Sequence, residues 1–363
     1  MARIKFKKEA EFATEDWTKK MSSFGDSLNR KNVKLVTLVH GAFARKDPLG
    51  LLNFLQPLIQ NMPHATGVSA DPEVFSEKHL KRFSSGIGQF TKEYKNYFQK
   101  GVGEPPKTAL FSWTGGNYHL ARLKAAVDLI AMLAKEVKEL KITKDDRILL
   151  LGHSHGGQLF ALISLFLEDG DIAKSLYKVV EKSLDMKREE LIENLLTIDN
   201  IPLDFVTFGT PIRYKWGVYD HYHLLSIINH RSLVQPIGLL EIKDGDYIQQ
   251  WAIAGTDIMP PLHELTLNDA LDSVLDKGRD ITVFVKRLKR KRRQKEKRTD
   301  GKLAGKTLLV DYCDNIPDSG LFEKPMHFPK LAIRTQFGHG VYTLNQAMLF
   351  NAKLIQKNLY SED

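Results

Sequence analysis

The stretch Arg147-Ile148-Leu149-Leu150-Leu151-Gly152-His153-Ser154-His155-Gly156-Gly157-Gln158-Leu159-Phe160 constrains this chain more than any other. Residues 148–151 form an apolar run without helical period, as expected of a parallel strand covered on both faces. After Gly157 the apolar residues Leu159, Phe160, Ile163, Phe166 and Leu167 return at helical spacing, and Glu168-Asp169-Gly170 ends them. Ser154 stands at the tight turn between the two, with Gly152 and Gly156 two residues to either side. A side chain held on a sharp, strained turn crowds both positions, so only the smallest residues let strand and helix approach. This is the pattern G-x-S-x-G, which presents a serine hydroxyl at a strand-to-helix turn. Alone, it arises by chance in roughly one chain in ten of this length. The strand before it and the helix after it raise it above a surface turn that happens to hold a serine.

The 363 residues, 42% of them hydrophobic, suffice for one large α/β domain with insertions. One cysteine, Cys313, excludes an internal disulfide framework and a Cys-rich zinc site, and suits a reducing compartment. Residues 1–13 are charged throughout, so no signal-peptide core is expected there, and no apolar stretch reaches membrane-spanning length. These features predict a cytoplasmic protein. The net charge of +9 is concentrated: residues 286–298 hold ten Lys or Arg and one Glu. The remaining 43 basic and 43 acidic residues balance. A formally neutral body argues against a broad nucleic-acid-binding face. The run from Lys286 to Arg298 is read first as a solvated excursion, then as a contact either for an anionic membrane surface, which would make the protein peripheral there, or for a nucleic acid or protein partner.

Along the chain, residues 1–31 read as a polar N-terminal segment, and 32–363 as a single domain with insertions at about 62–106, 170–200 and 264–303. Buried strands are expected at 33–39, 108–113, 148–151, 204–208, 224–229, 248–255 and 307–312, from their β-branched and apolar runs. The clearest helix is marked by Leu120, Leu123, Val127, Ile130, Leu133, Val137 and Leu140, three or four residues apart. Others are expected at 49–59, near 87–98, across 171–196, at 267–288 and at 345–359. Alternation of this kind predicts an α/β fold, a mostly parallel twisted sheet flanked by helices.

With one elbow serine, this order resembles the α/β-hydrolase superfamily, and in detail its lipase and esterase branch. The matching residues are His40-Gly41 after the first strand, Gly152-His153-Ser154-His155-Gly156-Gly157 at the elbow, Phe208-Gly209-Thr210-Pro211 after the next strand, and the late Gly338-His339-Gly340. The likeness covers roughly residues 33–260 and the final stretch. It implies an α/β-hydrolase fold with helical insertions and a triad in the chain order Ser, acid, His.

A serine hydroxyl is a weak nucleophile until a base takes its proton, and that base is normally a histidine held by a carboxylate. Ser154 is the candidate nucleophile. Of twelve histidines, His153 and His155 flank it on a turn that should point their rings away. His40 suits a structural hydrogen bond. His221 and His223, a conceivable metal pair, read better as a polar turn. His339, between two glycines late in the chain, is the candidate base. The acid departs from the pattern: the place after 224–229 is filled by Ser232, ahead of Leu233-Val234. Asp257, at the end of the predicted strand 248–255, is the first choice, with Asp311 and Asp314 as alternatives. The oxyanion hole would pair the His155 N–H with that of Ala42 or Phe43, aided by the helix beginning at Gly156.

No phosphate loop or dinucleotide fingerprint is present, and this chemistry needs neither metal nor organic cofactor. Phe43, Leu51, Phe54, Leu55, Trp113 and Tyr118 near the expected mouth suit an acyl chain, though they serve equally as core. With the cationic run they favour a lipid or phospholipid ester. A small soluble ester, thioester or amide is the alternative substrate. A degenerate hydrolase acting as a binding or scaffold protein is the alternative class, and Ser232 is its best support.

Overall fold

A computed structural model describes residues 4–41, 88–183, 188–211, 213–237, 240–246, 248–249, 257, 259–275, 305–312 and 338–361. Its strands are β1 (Ile4–Lys5), β2 (Val33–Val39), β3 (Lys107–Phe111), β4 (Arg147–His153), β5 (Leu203–Phe208), β6 (Tyr222–Ile237), β7 (Leu240–Gly245) and β8 (Lys306–Asp311). Its α-helices are α1 (Glu15–Arg30), α2 (Lys92–Val102), α3 (His119–Leu140), α4 (Gly156–Glu168), α5 (Asp171–Ser183), α6 (Arg188–Ile198), α7 (Leu265–Val274) and α8 (Asn345–Leu359). Seven strands form one all-parallel sheet in the order β1-β8-β6-β5-β4-β2-β3. The fold is α/β, as the alternation predicted. Among the described residues, no helix is long and apolar enough to cross a membrane.

Side chains alternate across each strand, and the strands divide them between two cores. Leu35, Ile148, Leu150, Leu203, Phe205 and Leu224 face one core with α3, α4, α5, α6 and α7. Val36, Leu38, Leu149, Leu151, Val206, Phe208, Leu225 and Ile227 face the other with α1, α2 and α8. A sheet covered on both faces explains why its central strands read as unbroken apolar runs. Helix α4 is buried almost all round from Gly156 to Phe166. Truncating a fully buried core residue such as Leu150 to Ala would cost about 2–5 kcal/mol.

Three expectations need correction. Residues 4–31 are not a separate polar segment: β1 pairs with β8, and Trp17, Met21, Phe24 and Leu28 of α1 are buried in the second core. Their spacing is an apolar helical stripe inside a polar composition. Helices α5 and α6 belong to the first core through Leu176, Val180, Leu191 and Ile198, rather than standing above the sheet as an insertion. The strand expected at 248–255 is not one at its start, where Ile248 and Gln249 are helical. A short apolar run does not by itself distinguish strand from helix. The helix expected at 49–59, most of the 62–106 segment before residue 88, and the basic run 286–298 lie outside the described residues.

The topology marks where a site belongs. From β2 the chain moves outward to β3, then crosses back over β2 to β4, and all later strands of the sheet build away on that side. In open α/β sheets the crevice outside the carboxyl ends of the strands, where the order reverses, is the ligand position. Here that is the space between the loops leaving β2 and β4.

Candidate active site

Ser154 follows directly after β4 with φ +53°, in the left-handed region that a side chain adopts only under constraint. The constraint comes from every side. Its N–H donates to the Phe208 carbonyl at 2.8 Å, continuing the β4–β5 pairing, and Thr210 Oγ1 donates to its carbonyl at 2.7 Å. A Cβ at Gly156 would lie 2.6 Å from the Val39 carbonyl oxygen, and one at Gly41 would lie 2.6 Å from Ser154 Cβ. At Gly152 it would strike the Phe160 ring at 2.5 Å. The expected crowding of both flanking positions is therefore present, and the β2 loop passes against the serine. His40 holds that loop. The Trp113 N–H donates to His40 Nε2 at 3.1 Å, and the indole N–H to the His40 carbonyl at 2.9 Å. This is the structural role expected for His40, and it commits Trp113 to the core.

His339 meets a carboxylate, but not Asp257. Its Nδ1 lies 2.8 and 2.9 Å from the two oxygens of Asp246, a fully buried residue. Asp246 also accepts from Tyr342 O–H and the Gln249 N–H, each at 2.8 Å. The route by which the chain delivers it explains why it was missed. Up to Asn229, β6 pairs in parallel with β8; beyond that point it continues to Ile237, turns, and returns as antiparallel β7, with His230 opposite Gly245. The Asp246 N–H then donates to the Asn229 carbonyl at 3.0 Å. The hairpin thus returns the carboxylate to the end of the parallel strand, where a short loop was expected to place it. The one local signal is the alternation of residues 240–243 leading into Asp244-Gly245-Asp246, a strand-and-turn signature.

The loops that carry Asp246 and His339 interlock. Gly338 has φ +79°, and a Cβ there would sit 1.9 Å from the Gly245 carbonyl oxygen. Asn229 ties both loops to the sheet. Its Nδ2 donates to the Gly338 carbonyl at 3.0 Å, and its backbone N–H donates to Tyr342 Oη at 2.8 Å. The ring of His339 packs against that of His153, centroids 4.6 Å apart, which puts His339 beside the residue preceding the serine. His153 Nε2 donates to the His339 carbonyl at 2.8 Å. Burial, with the neighbouring His339 as a second cause, holds the His153 imidazole well below its usual proton affinity.

The flanking histidines do point away from the serine, and to opposite sides. His155 turns toward Arg122, whose Nη1 lies 3.2 Å from His155 Nδ1. Asp257 is part of that cluster. Its carboxylate takes two hydrogen bonds from Arg213, at 2.7 and 3.1 Å, and two from Arg122. Burial alone would raise the Asp257 pKa, but the two guanidinium groups hold it far below the ordinary carboxylate range. A carboxylate so engaged has its lone pairs occupied by arginine, so Asp246 replaces Asp257 as the acid candidate. Asp311 ends β8 opposite Lys5, and its carbonyl accepts from the Phe6 N–H at 2.7 Å. Asp314, Ala42 and Phe43 lie outside the described residues. Among the described residues, no group of three or more His, Cys, Asp or Glu is arranged to hold a metal.

No family model matches the chain, and no curated protein matches its sequence.

Proposed function

We propose that this chain is a serine hydrolase of the α/β-hydrolase type, cleaving a carboxylic ester through an acyl-enzyme intermediate. One observation carries the reading: a buried Asp246–His339 pair converges on an elbow that holds Ser154 at φ +53°. His339 accepts the Ser154 proton at Nε2 while Asp246 fixes the Nδ1–H tautomer and stabilises the imidazolium. Ser154 Oγ attacks the ester carbonyl. The oxyanion forms at the N-terminus of α4, where the His155 N–H and the helix dipole favour negative charge. His339 then returns the proton to the leaving alcohol, and a water, activated the same way, releases the acid.

The degenerate-scaffold reading drew its support from the absence of a carboxylate near Ser232. Asp246 removes that support. For substrate we favour a lipid or phospholipid ester. Its basis is the cationic stretch 286–298 together with Phe43, Leu51, Phe54 and Leu55 of the sequence. Tyr118, the residue preceding α3, is half-buried and adds only weakly to that case.

The test is labelling with a fluorophosphonate probe. The wild type should be labelled, with the adduct on Ser154 by peptide mapping, and Ser154→Ala should not. An unlabelled, folded wild type would overturn the reading. Rates on p-nitrophenyl esters of increasing chain length, and on phospholipid vesicles, then separate lipid from small soluble substrates.

A further inference from the structure

On the side of the elbow away from His339 lies a buried polar cluster that the Ser154–His339–Asp246 set does not use. Its centre is Arg122, on the first turn of α3 and fully buried. The guanidinium is a donor in every direction. Nε donates to the Tyr214 hydroxyl and Nη2 to Asp257; one Nη1–H donates to Asn117 Oδ1 at 3.0 Å, and the other is shared between Asp257 Oδ1 and His155 Nδ1, each at 3.2 Å. His119, itself 3.0 Å from Asp272, closes the far side.

Burying a charged group with this many partners rarely gains stability over an apolar filling of equal volume. The cluster also sits on the ligand side of the sheet, beyond the ends of β3, β4 and β5, and it touches the residue next to the nucleophile. We propose that Arg122, anchored by Asp257, is a positioning residue for the reaction at Ser154. It fixes the His155 imidazole in one tautomer and one rotamer, and through that ring it fixes the backbone N–H of His155 that receives the oxyanion.

The chemistry follows from the donor set. A guanidinium cannot accept, so His155 Nδ1 must, and the neutral ring carries its proton on Nε2. Burial first, and the adjacent Arg122 charge second, hold His155 well below its ordinary proton affinity, so it stays neutral in the working range. His155 is also the residue on which α4 starts. Rotation of its side chain and tilt of its peptide are coupled within a turn this crowded. An oxyanion donor must stand within a few tenths of an ångström of its place to act, and losing one costs ~10²–10³ in turnover. Loosening one should cost part of that.

This inference rests on the hydrolase reading, and two measurements separate their fates. In the full chain labelled with ¹⁵N-histidine, the His155 imidazole, assigned through its loss in His155→Gln, should show an unprotonated Nδ1 and a protonated Nε2 without titrating between pH 5 and 8. Arg122→Met should abolish that signature. Hydrolysis of p-nitrophenyl butyrate gives the second measurement. Arg122→Met and His155→Leu should each lower kcat about 10- to 100-fold, with KM nearly unchanged. The double variant should be no worse than the poorer single one, because the two act as one unit. Arg122→Lys, which keeps a charge for Asp257 should Arg122→Met fail to fold, should retain an intermediate kcat. Losses that multiply in the double variant, or an effect confined to KM or stability, would overturn the role of Arg122. So would a titrating or Nδ1-protonated His155 in the wild type. A wild type that never reacts with a fluorophosphonate at Ser154 overturns the hydrolase reading and this role together, even with the ring locked.

Discussion

Replacing Asp246 by Asn tests the whole arrangement by exchanging one oxygen for a nitrogen. The carboxylate takes three hydrogen bonds from different directions: His339 Nδ1, Tyr342 O–H and the Gln249 N–H. An amide has one acceptor oxygen and one donor nitrogen, so it cannot satisfy all three. Whichever oxygen the nitrogen replaces, it meets the Gln249 N–H or the Tyr342 O–H, two donors in a fully buried space, at about 1–3 kcal/mol. It also lies against Nδ1, which is within hydrogen-bond distance of both positions, and donating there drives the proton onto Nε2, the atom that must accept from Ser154. That wrong-tautomer outcome costs ~10⁴ in kcat in a triad whose geometry is otherwise intact. At 1.36 kcal/mol per tenfold, this is about 5.4 kcal/mol of lost transition-state stabilisation. The assay is steady-state hydrolysis of a p-nitrophenyl ester, with circular dichroism to confirm folding. Asp311→Asn, half-buried at the end of β8, serves as the control and should keep kcat within about threefold of wild type, because it changes a carboxylate that is not the one hydrogen-bonded to His339. Were Asp246→Asn to keep more than a tenth of the wild-type kcat, Asp246 would not be the acid, and the pairing with His339 would be structural only.

Ser154→Gly should abolish activity yet raise the melting temperature, because φ +53° strains serine and not glycine; relief of ~1 kcal/mol corresponds to about 1–1.5 °C in a chain of this length, and an unchanged or lower Tm would contradict the strain. Gly338→Ala should cost far more than a left-handed alanine's ~1–2 kcal/mol, since its Cβ meets the Gly245 carbonyl at 1.9 Å; wild-type activity and Tm would refute the interlock. Stability should fall with acid below about pH 6.5, because unfolded histidines take up protons there that the buried His153 and His155 refuse. Their folded pKa values are depressed, so the stabilisation is complete above the unfolded value and lost as pH falls. The slope is about 1.4 kcal/mol per pH unit for each ring, and His153→Gln should flatten the Tm–pH curve between pH 6.5 and 5 if the folded protein holds that ring neutral.

The parts legible in the sequence were those set by local geometry. Ser154 declares itself within five residues, because the steric demand for glycine lies two positions to either side. The central strands show as apolar runs because helices cover both faces of the sheet. The N-terminal helix α1 was equally legible in principle, through Trp17, Met21, Phe24 and Leu28, but the polar residues between them obscured the stripe. Asp246 was not legible in the same way. Its place depends on how far a hairpin runs before it returns, and nothing in the composition of residues 230–245 sets that length. Asp257 attracted the reading because it follows an apolar run. A carboxylate next to apolar residues must be paired wherever it ends up, and here its partners, Arg122 and Arg213, come from α3 and the loop after β5.

The hairpin carries a general point about where such an acid can sit. What defines the position is the end of the parallel strand, at Asn229, and not the number of residues that follow it. Asn229 offers its carbonyl to Asp246, its N–H to Tyr342 and its side-chain amide to Gly338. Acid loop and base loop are therefore both hydrogen-bonded to one residue of the sheet, and glycines at 245 and 338 let the backbones close without side chains between them. The β6–β7 pairing shifts register between His230–Gly245 and Val234–Lys243, and beyond that irregularity, from Val234 to the turn, an equal lengthening or shortening of both hairpin arms would deliver the carboxylate to the same point. A slip of one residue would turn it to the opposite face. Removing one residue from each arm should thus spare hydrolysis, whereas removing one from a single arm should abolish it. Equal loss in both would show that the hairpin, and not the strand end, holds the acid in place.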